Sequence, residues 1–256
     1  MTLSSRTIQV KKRRTEVLAA GQQEPLVLLH GGGIVEGFDC FAPLTERFAV
    51  TAPLMPGYGA TELDPPVTGR DQVTENLRDV LDELGIERTV LVGHSLGGWR
   101  AAAFAARFPE RVSELILAAP FGMDVPEHPL PDMMSMGPAE RLAALTNDPS
   151  IWEGRLPTGP DPAFEAARAG EGQSIMRFHP GPHDPDLPGI LSSISAPTLI
   201  LWGEDDRTIP AGHADAWHKA LPQASVKTFP GAGHLLFHER PDALAAIVEF
   251  VESKRA

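Results

Sequence analysis

Ser95 stands in Gly93-His94-Ser95-Leu96-Gly97, directly after the apolar run Thr89-Val90-Leu91-Val92 and ahead of an alanine-rich segment. A G-x-S-x-G between a strand and a helix is a nucleophile elbow: its two glycines let the chain turn sharply enough to lift the serine hydroxyl clear of the sheet edge. A serine hydroxyl is a weak nucleophile at neutral pH. It needs a base within hydrogen-bond reach, and the base needs a third group to orient it. Both are available further along. The turn Gly203-Glu204-Asp205-Asp206-Arg207-Thr208-Ile209-Pro210 offers a carboxylate, and Gly231-Ala232-Gly233-His234 offers an imidazole in a glycine-rich loop. Serine, acid and histidine in that order are the parts of an acyl-transfer site.

Such parts work only if regular elements deliver them to one place. Pro25-Leu26-Val27-Leu28-Leu29 is a short continuous apolar run, as expected of a strand buried on both faces, and it ends in His30-Gly31-Gly32-Gly33. Phe48 to Ala52 forms another, closed by Pro53 and the turn-rich Met55-Pro56-Gly57-Tyr58-Gly59. Val73, Leu77, Val80, Leu81 and Leu84 share one helical stripe that Gly85 stops. The elbow strand follows, then a helix over Ala101 to Arg107 that Pro109 ends. Further strands are expected around Val112 to Leu117, Thr198 to Trp202 and Val226 to Phe229, with a last helix carrying Leu244, Ile247, Val248 and Val251. One or two antiparallel strands precede them all. The alternation implies an α/β domain with a mostly parallel sheet covered on both sides.

Residues 120 to 190 break the pattern, holding 13 of the 25 prolines and five of the seven methionines with no clear strand. They read as an insertion with short helices at Ala139 to Leu145 and Ala163 to Ala169, leaving 1–119 and 191–256 as the core domain. Methionine is flexible and polarizable, so Met123, Met133, Met134, Met136 and Met176 are expected either to line an adaptable apolar pocket or to pack the insertion onto the core.

Composition bounds the function classes. With 22 basic and 34 acidic residues the formal charge is −12, which repels phosphate backbones and anionic lipid, so neither nucleic acid nor membrane is an expected partner. The cluster Lys11-Lys12-Arg13-Arg14 is expected on a solvated strand face. Cys40 is the only cysteine and can form no intrachain disulfide; it is expected to be a small packed residue. The first residues lack the apolar segment of a signal peptide, and no apolar stretch reaches the roughly 18 to 20 residues of a bilayer span, so a soluble cytoplasmic protein is expected. In His179-Pro180-Gly181-Pro182-His183 the prolines deny the helical geometry that makes paired histidines converge on zinc, and no metal is expected there.

Four motifs in order, His30-Gly31-Gly32-Gly33, Gly93-His94-Ser95-Leu96-Gly97-Gly98, Trp202-Gly203-Glu204-Asp205-Asp206 with Pro210, and Gly231-Ala232-Gly233-His234, make the chain resemble the α/β-hydrolase-fold enzymes over nearly its whole length. The resemblance implies an eight-stranded, mostly parallel sheet with helices on both faces and a small cap after the sixth strand, where residues 120–190 fall. It further implies Ser95 as nucleophile, His234 as general base and later acid, and Asp206 as the group orienting the imidazole. Asp206 is preferred to Asp205 because the family spaces its acid three residues after the glycine and four before the proline; Asp124 is a third candidate. The oxyanion hole would combine the Leu96 amide with one from Gly32 or Gly33, while His30 and His94 would fix turns by hydrogen bonding.

A serine at the elbow argues against the dehalogenase and epoxide hydrolase branches, which use aspartate there. The expected reaction is hydrolysis of a carboxylic ester of a small to medium, largely apolar substrate, with neither metal nor organic cofactor. The rival is a carbon–carbon bond hydrolase of a dienoic or diketone ring-cleavage product. Those enzymes carry Pro-Gly after their glycine loop and an aromatic residue after the histidine, where this chain has Ile34-Val35 and Leu235. A small-molecule receptor on the same scaffold, a lyase or an acyltransferase remain open alternatives, as does homo-oligomerisation.

Overall fold

The computed structural model describes residues 2–133, 135–178 and 181–255. Eight strands form one sheet: β1 (Ser4–Val10), β2 (Arg13–Ala20), β3 (Glu24–Leu29), β4 (Phe48–Pro53), β5 (Thr89–His94), β6 (Val112–Ala118), β7 (Thr198–Gly203) and β8 (Ser225–Phe229), in the order β1-β2-β4-β3-β5-β6-β7-β8. The pairs β1–β2 and β2–β4 are antiparallel and the rest are parallel.

The central strands show why continuous apolar runs were needed. Side chains alternate across a strand, so Val27 and Leu29 of β3, Leu91 of β5, Leu115 and Leu117 of β6, and Ile200 and Trp202 of β7 enter one core. Their neighbours Leu26, Leu28, Val90, Val92, Ile116, Leu199 and Leu201 enter a second core on the opposite face. The first is covered by α1 (Gly69–Glu83), α2 (Leu96–Arg107) and α6 (His213–Ala220), through residues such as Leu77, Phe104 and Trp217. The second is covered by α8 (Pro241–Ser253) and a 3₁₀ turn at Asp39–Glu46. Period-two alternation also corrects the reading of the basic cluster: Lys11, Lys12 and Arg14 are exposed, whereas Arg13 falls on the inward side of β2 and donates to the Pro65 carbonyl.

Helix α2 begins at Leu96, five residues before the expected start. Gly97 and Gly98 are poor helix formers, and packing supplies what propensity lacks. A Cβ at Gly97 would run into the carbonyl oxygens of Leu29 and His30, and one at Gly93 into Gly97 O, so the first turn of α2 lies directly on the backbones of β3 and β5.

Between β6 and β7 the chain forms α3 (Pro138–Leu145), a 3₁₀ turn at Pro149–Trp152, α4 (Pro162–Phe178) and α5 (Leu187–Leu191), with no strand among the described residues. α4 is far longer than the expected 163–169. Its inward side carries Arg168, Glu171 and Ser174 beside Ile175 and Phe178, so the hydrophobic periodicity that reveals a helix is weak. The Ser174 hydroxyl donates to Pro56 O at 2.8 Å, and Glu171 is buried beside Arg168. The expected boundary at 190 falls inside α5, whose Leu187 and Leu191 belong to the main core. No described helix is long and apolar enough to cross a membrane. A short α7 (Leu236–Glu239) precedes α8.

Gly97→Ala should lose at least about 3 kcal/mol of stability through overpacking against backbone. Gly172→Ala on α4, where a Cβ meets nothing within 4 Å, should gain up to about 1 kcal/mol. Urea unfolding of both variants checks the contrast.

Candidate active site

Ser95 adopts φ 54° and ψ −119°, a conformation that L-residues avoid and that persists only where surrounding bonds over-determine it. Those bonds are present. The Ser95 amide donates to Ala118 O at 2.9 Å, and its carbonyl accepts from the amides of Gly98 (2.9 Å), Phe121 (3.0 Å) and Trp99 (3.2 Å). Leu96 is the first residue of α2, so its amide has no intrahelical acceptor and sits at the positive end of the helix dipole. The Ser95 side chain is half-buried, and its hydroxyl makes no hydrogen bond to another described residue. Catalytic contacts of that kind commonly tighten only once substrate is bound.

The candidate acid and base are already joined. His234 Nδ1 donates to Asp206 Oδ2 at 2.7 Å, with the two residues 2% and 5% exposed. The other oxygen, Oδ1, accepts the amides of Thr208 and Ile209, both at 2.8 Å, which fixes the carboxylate plane. The proton on Nδ1 leaves Nε2 as the free lone pair. Asp205 and Asp124 are exposed, so of the three candidate acids it is Asp206 that meets the imidazole.

Both loops are also stitched to the end of α3, whose last carbonyls need partners. Arg207 donates to Ala143 O and, at 3.0 Å, to Thr146 O; the Thr208 hydroxyl donates to Ala144 O at 3.1 Å; the Leu235 amide donates to Leu145 O at 2.9 Å. Glu239 joins in, accepting from the Gly233 amide at 2.9 Å and the Thr146 hydroxyl at 2.8 Å.

Two neutral histidines brace the glycine loop and the elbow. His30 Nε2 accepts the Met55 amide at 3.0 Å, so Nδ1 carries the proton and donates to Gly31 O at 2.9 Å. Burial, and then the Arg100 charge, push its pKa down to about 3. His94 Nε2 donates to the His234 carbonyl at 2.8 Å, tying the elbow to the histidine loop, and burial holds its pKa well below the usual value. Tyr58 Oη donates to Gly32 O at 3.2 Å. A Cβ at Gly31 would lie 3.4 Å from Ser95 Cβ, so this loop runs alongside the serine.

Of the methionines, Met123 is part of the main core, Met133 and Met136 are half-buried, and Met134 lies outside the described residues, as do His179 and Pro180. Met176 does not line a pocket: it is 65% exposed, because its neighbour Ile175 takes the side of α4 that faces Gly32. Sequence reasoning missed Glu36, Arg168 and Ile175, which surround the glycine loop. The available signal was a carboxylate, Glu36, directly after the apolar pair Ile34-Val35 that follows the glycine loop. Burial raises the Glu36 pKa to about 7. Among the described residues no group of three or more His, Cys, Asp or Glu is placed to hold a metal ion.

Residues 26–247 match the Alpha/beta hydrolase family. The 2-hydroxy-6-oxo-6-phenylhexa-2,4-dienoate hydrolase of Burkholderia cepacia is 30% identical, over 88% of this chain and 86% of that protein. Among solved structures, a membrane phospholipase A described as a bacterial virulence factor is 28% identical, covers 99% of this chain and 87% of its own, and superposes with a TM-score of 0.80. A serine hydrolase involved in carbazole degradation, the CarC enzyme, is 25% identical with a TM-score of 0.81, covering 98% of this chain and 99% of its own.

The buried neutral state of His30 predicts a pH dependence of stability. Its pKa is about 3 folded and about 6.5 unfolded, so between those values the unfolded chain takes up a proton that the native state refuses. Stability should therefore fall as pH drops below about 6.5, by up to about 1.4 kcal/mol per pH unit from this group. Urea unfolding at pH 7 and pH 5 measures it; equal stabilities would contradict the assignment.

Proposed function

The chain belongs to the alpha/beta hydrolase family, and on that premise we propose that it hydrolyses carboxylic esters through an acyl-enzyme on Ser95. The observation that carries the proposal is the buried Asp206–His234 hydrogen bond, anchored to the elbow through His94. In the proposed sequence, Ser95 Oγ attacks the ester carbonyl carbon and its proton passes to His234 Nε2. The carbonyl oxygen takes up negative charge facing the Leu96 amide and an amide of Gly32 or Gly33. Collapse breaks the carbon–oxygen bond, and the leaving alkoxide receives the proton from His234. Water, losing its proton to the same nitrogen, then attacks the acyl-serine and frees the acid. Asp206 holds the Nδ1–H tautomer and stabilises the imidazolium formed at each stage. The segment between β6 and β7, with Ile175 over Gly32, would act as a cap over a small to medium, largely apolar substrate.

A second reading, cleavage of a carbon–carbon bond in a dienoic ring-cleavage product, is favoured by the Burkholderia cepacia relative. Against it stand Ile34-Val35 after the glycine loop and Leu235 after the histidine. Parallel assays with short 4-nitrophenyl esters and a dienoate ring-fission product separate the two.

A fluorophosphonate should label Ser95 stoichiometrically. Tight saturable binding of a small molecule without labelling would instead favour a receptor. Ser95→Ala should lower ester kcat by on the order of 10⁴-fold or more, and Asp206→Asn by about 10³- to 10⁴-fold through loss of the required tautomer. Steady-state kinetics with 4-nitrophenyl butyrate reads both, and a variant retaining a tenth of the activity would sink the assignment.

A further inference from the structure

Arg100 lies buried on α2 and takes no part in the chemistry described so far. It is 3% exposed, and its Nε and Nη1 have no hydrogen-bond partner. No carboxylate pairs with it among the described residues; the titratable group set against it is the Tyr58 phenol, which burial keeps protonated. Burial lowers the Arg100 pKa to about 9, so the guanidinium still carries its charge at neutral pH. A buried charge without a counterion opposes folding. Its place on the helix adds to that cost. Leu96 and Arg100 are four residues apart on one face of α2, and helical side chains lean toward the N-terminus, so a cation is set over the positive end of the helix dipole.

The groups that feel this charge belong to the glycine loop. The first turn of α2 already rests on the carbonyls of Leu29 and His30. Tyr58 donates to Gly32 O at 3.2 Å, and its ring packs on that of His30 with centroids 4.5 Å apart. His30 in turn donates to Gly31 O at 2.9 Å, and the Arg100 charge helps to hold it neutral. Arg168 also acts on both rings, but its ion pair with Glu171 offsets its charge. Arg100 thus stands behind the loop as a positive charge that no described residue cancels.

We propose that Arg100 is an electrostatic positioning residue: its uncompensated charge raises the potential at the Leu96 amide and the glycine loop, where the carbonyl oxygen of the substrate becomes negative in the tetrahedral intermediate. This deepens the ester-hydrolase reading and rests on Ser95 being the nucleophile. In this role the guanidinium need not touch the substrate. A neutral ester feels its field only weakly, so the benefit is confined to the charged intermediate and raises kcat rather than lowering KM. In a medium of effective dielectric about 20, two unit charges roughly 10 Å apart change an equilibrium about tenfold. The charge that opposes folding is thus the one that assists turnover.

The test separates charge from bulk. Arg100→Met keeps a long side chain without the charge, Arg100→Gln is a second neutral replacement, and Arg100→Lys keeps a cation. With 4-nitrophenyl butyrate, both neutral variants should lower kcat about tenfold or more while KM stays within about twofold, and Arg100→Lys should recover part of the loss. Butylboronic acid, which bonds to a serine hydroxyl as a tetrahedral anion, should bind the neutral variants more weakly by a similar factor. Urea unfolding should find Arg100→Met at least as stable as the wild-type protein, because an unpaired buried charge has been removed. A residue that only props the helix would behave in the opposite way: Arg100→Met and Arg100→Gln would unfold more easily or fail to fold, and Arg100→Lys would turn over no faster than they do. That result, or neutral variants with wild-type kcat and boronate affinity, overturns the proposal. Wild-type ester turnover and fluorophosphonate labelling of Ser95 would leave the ester reading intact in either case, and the absence of both brings down the two together.

Discussion

How close α2 can come to β3 sets the terms for the rest of the site. Gly97 and Gly93 allow backbone to rest on backbone, and this contact leaves Ser95 no ordinary conformation to adopt. The strained turn then has three consequences at once. It sets Ser95 at the end of β5, it leaves the Leu96 amide at the start of α2 without an intrahelical acceptor, and it places the His94 ring where it can hold the histidine loop. Any side chain at Gly97 would separate the helix from the strand and undo all three together.

Around that contact the bracing is done by uncharged rings. His30 and His94 are held neutral by burial, so each offers one donor and one acceptor in fixed positions. The Asp206 carboxylate, with three donors around it, is the one anion set against the His234 ring. Chemically similar imidazoles thus take different parts because their partners differ, two facing backbone groups and one facing a carboxylate.

Much of this was legible in the sequence because the constraints are local. Continuous apolar runs mark strands buried on both faces, and the glycine-bearing motifs mark places where backbones must approach or turn. The preference for Asp206 over Asp205 comes from the family resemblance; in the structure it is Asp206 that accepts a hydrogen bond from His234. What stayed hidden depends on contacts between distant segments. α4 reads as a short helix because its inward stripe is Arg168, Glu171 and Ser174, and polar residues satisfied by the opposite wall leave no periodic apolar trace. For the same reason Glu36 and Arg168, 132 positions apart, could not be seen as neighbours across Gly33. Met176 departs from expectation in the other direction, on the exposed side of α4, because methionine composition says nothing about which side of a helix faces water.

The end of α3 is where the segment between β6 and β7 stops being an accessory. Its terminal carbonyls are the acceptors for groups from the Asp206 loop and from the His234 loop, so this segment doubles as a clamp on the two loops. A graft that exchanged this whole segment for one from another member of the fold would therefore also remove the acceptors that hold these loops. Only transplants that keep residues 143–146 in register would exchange the segment without loosening the Asp206 and His234 loops, which makes this short stretch the natural seam for recombination.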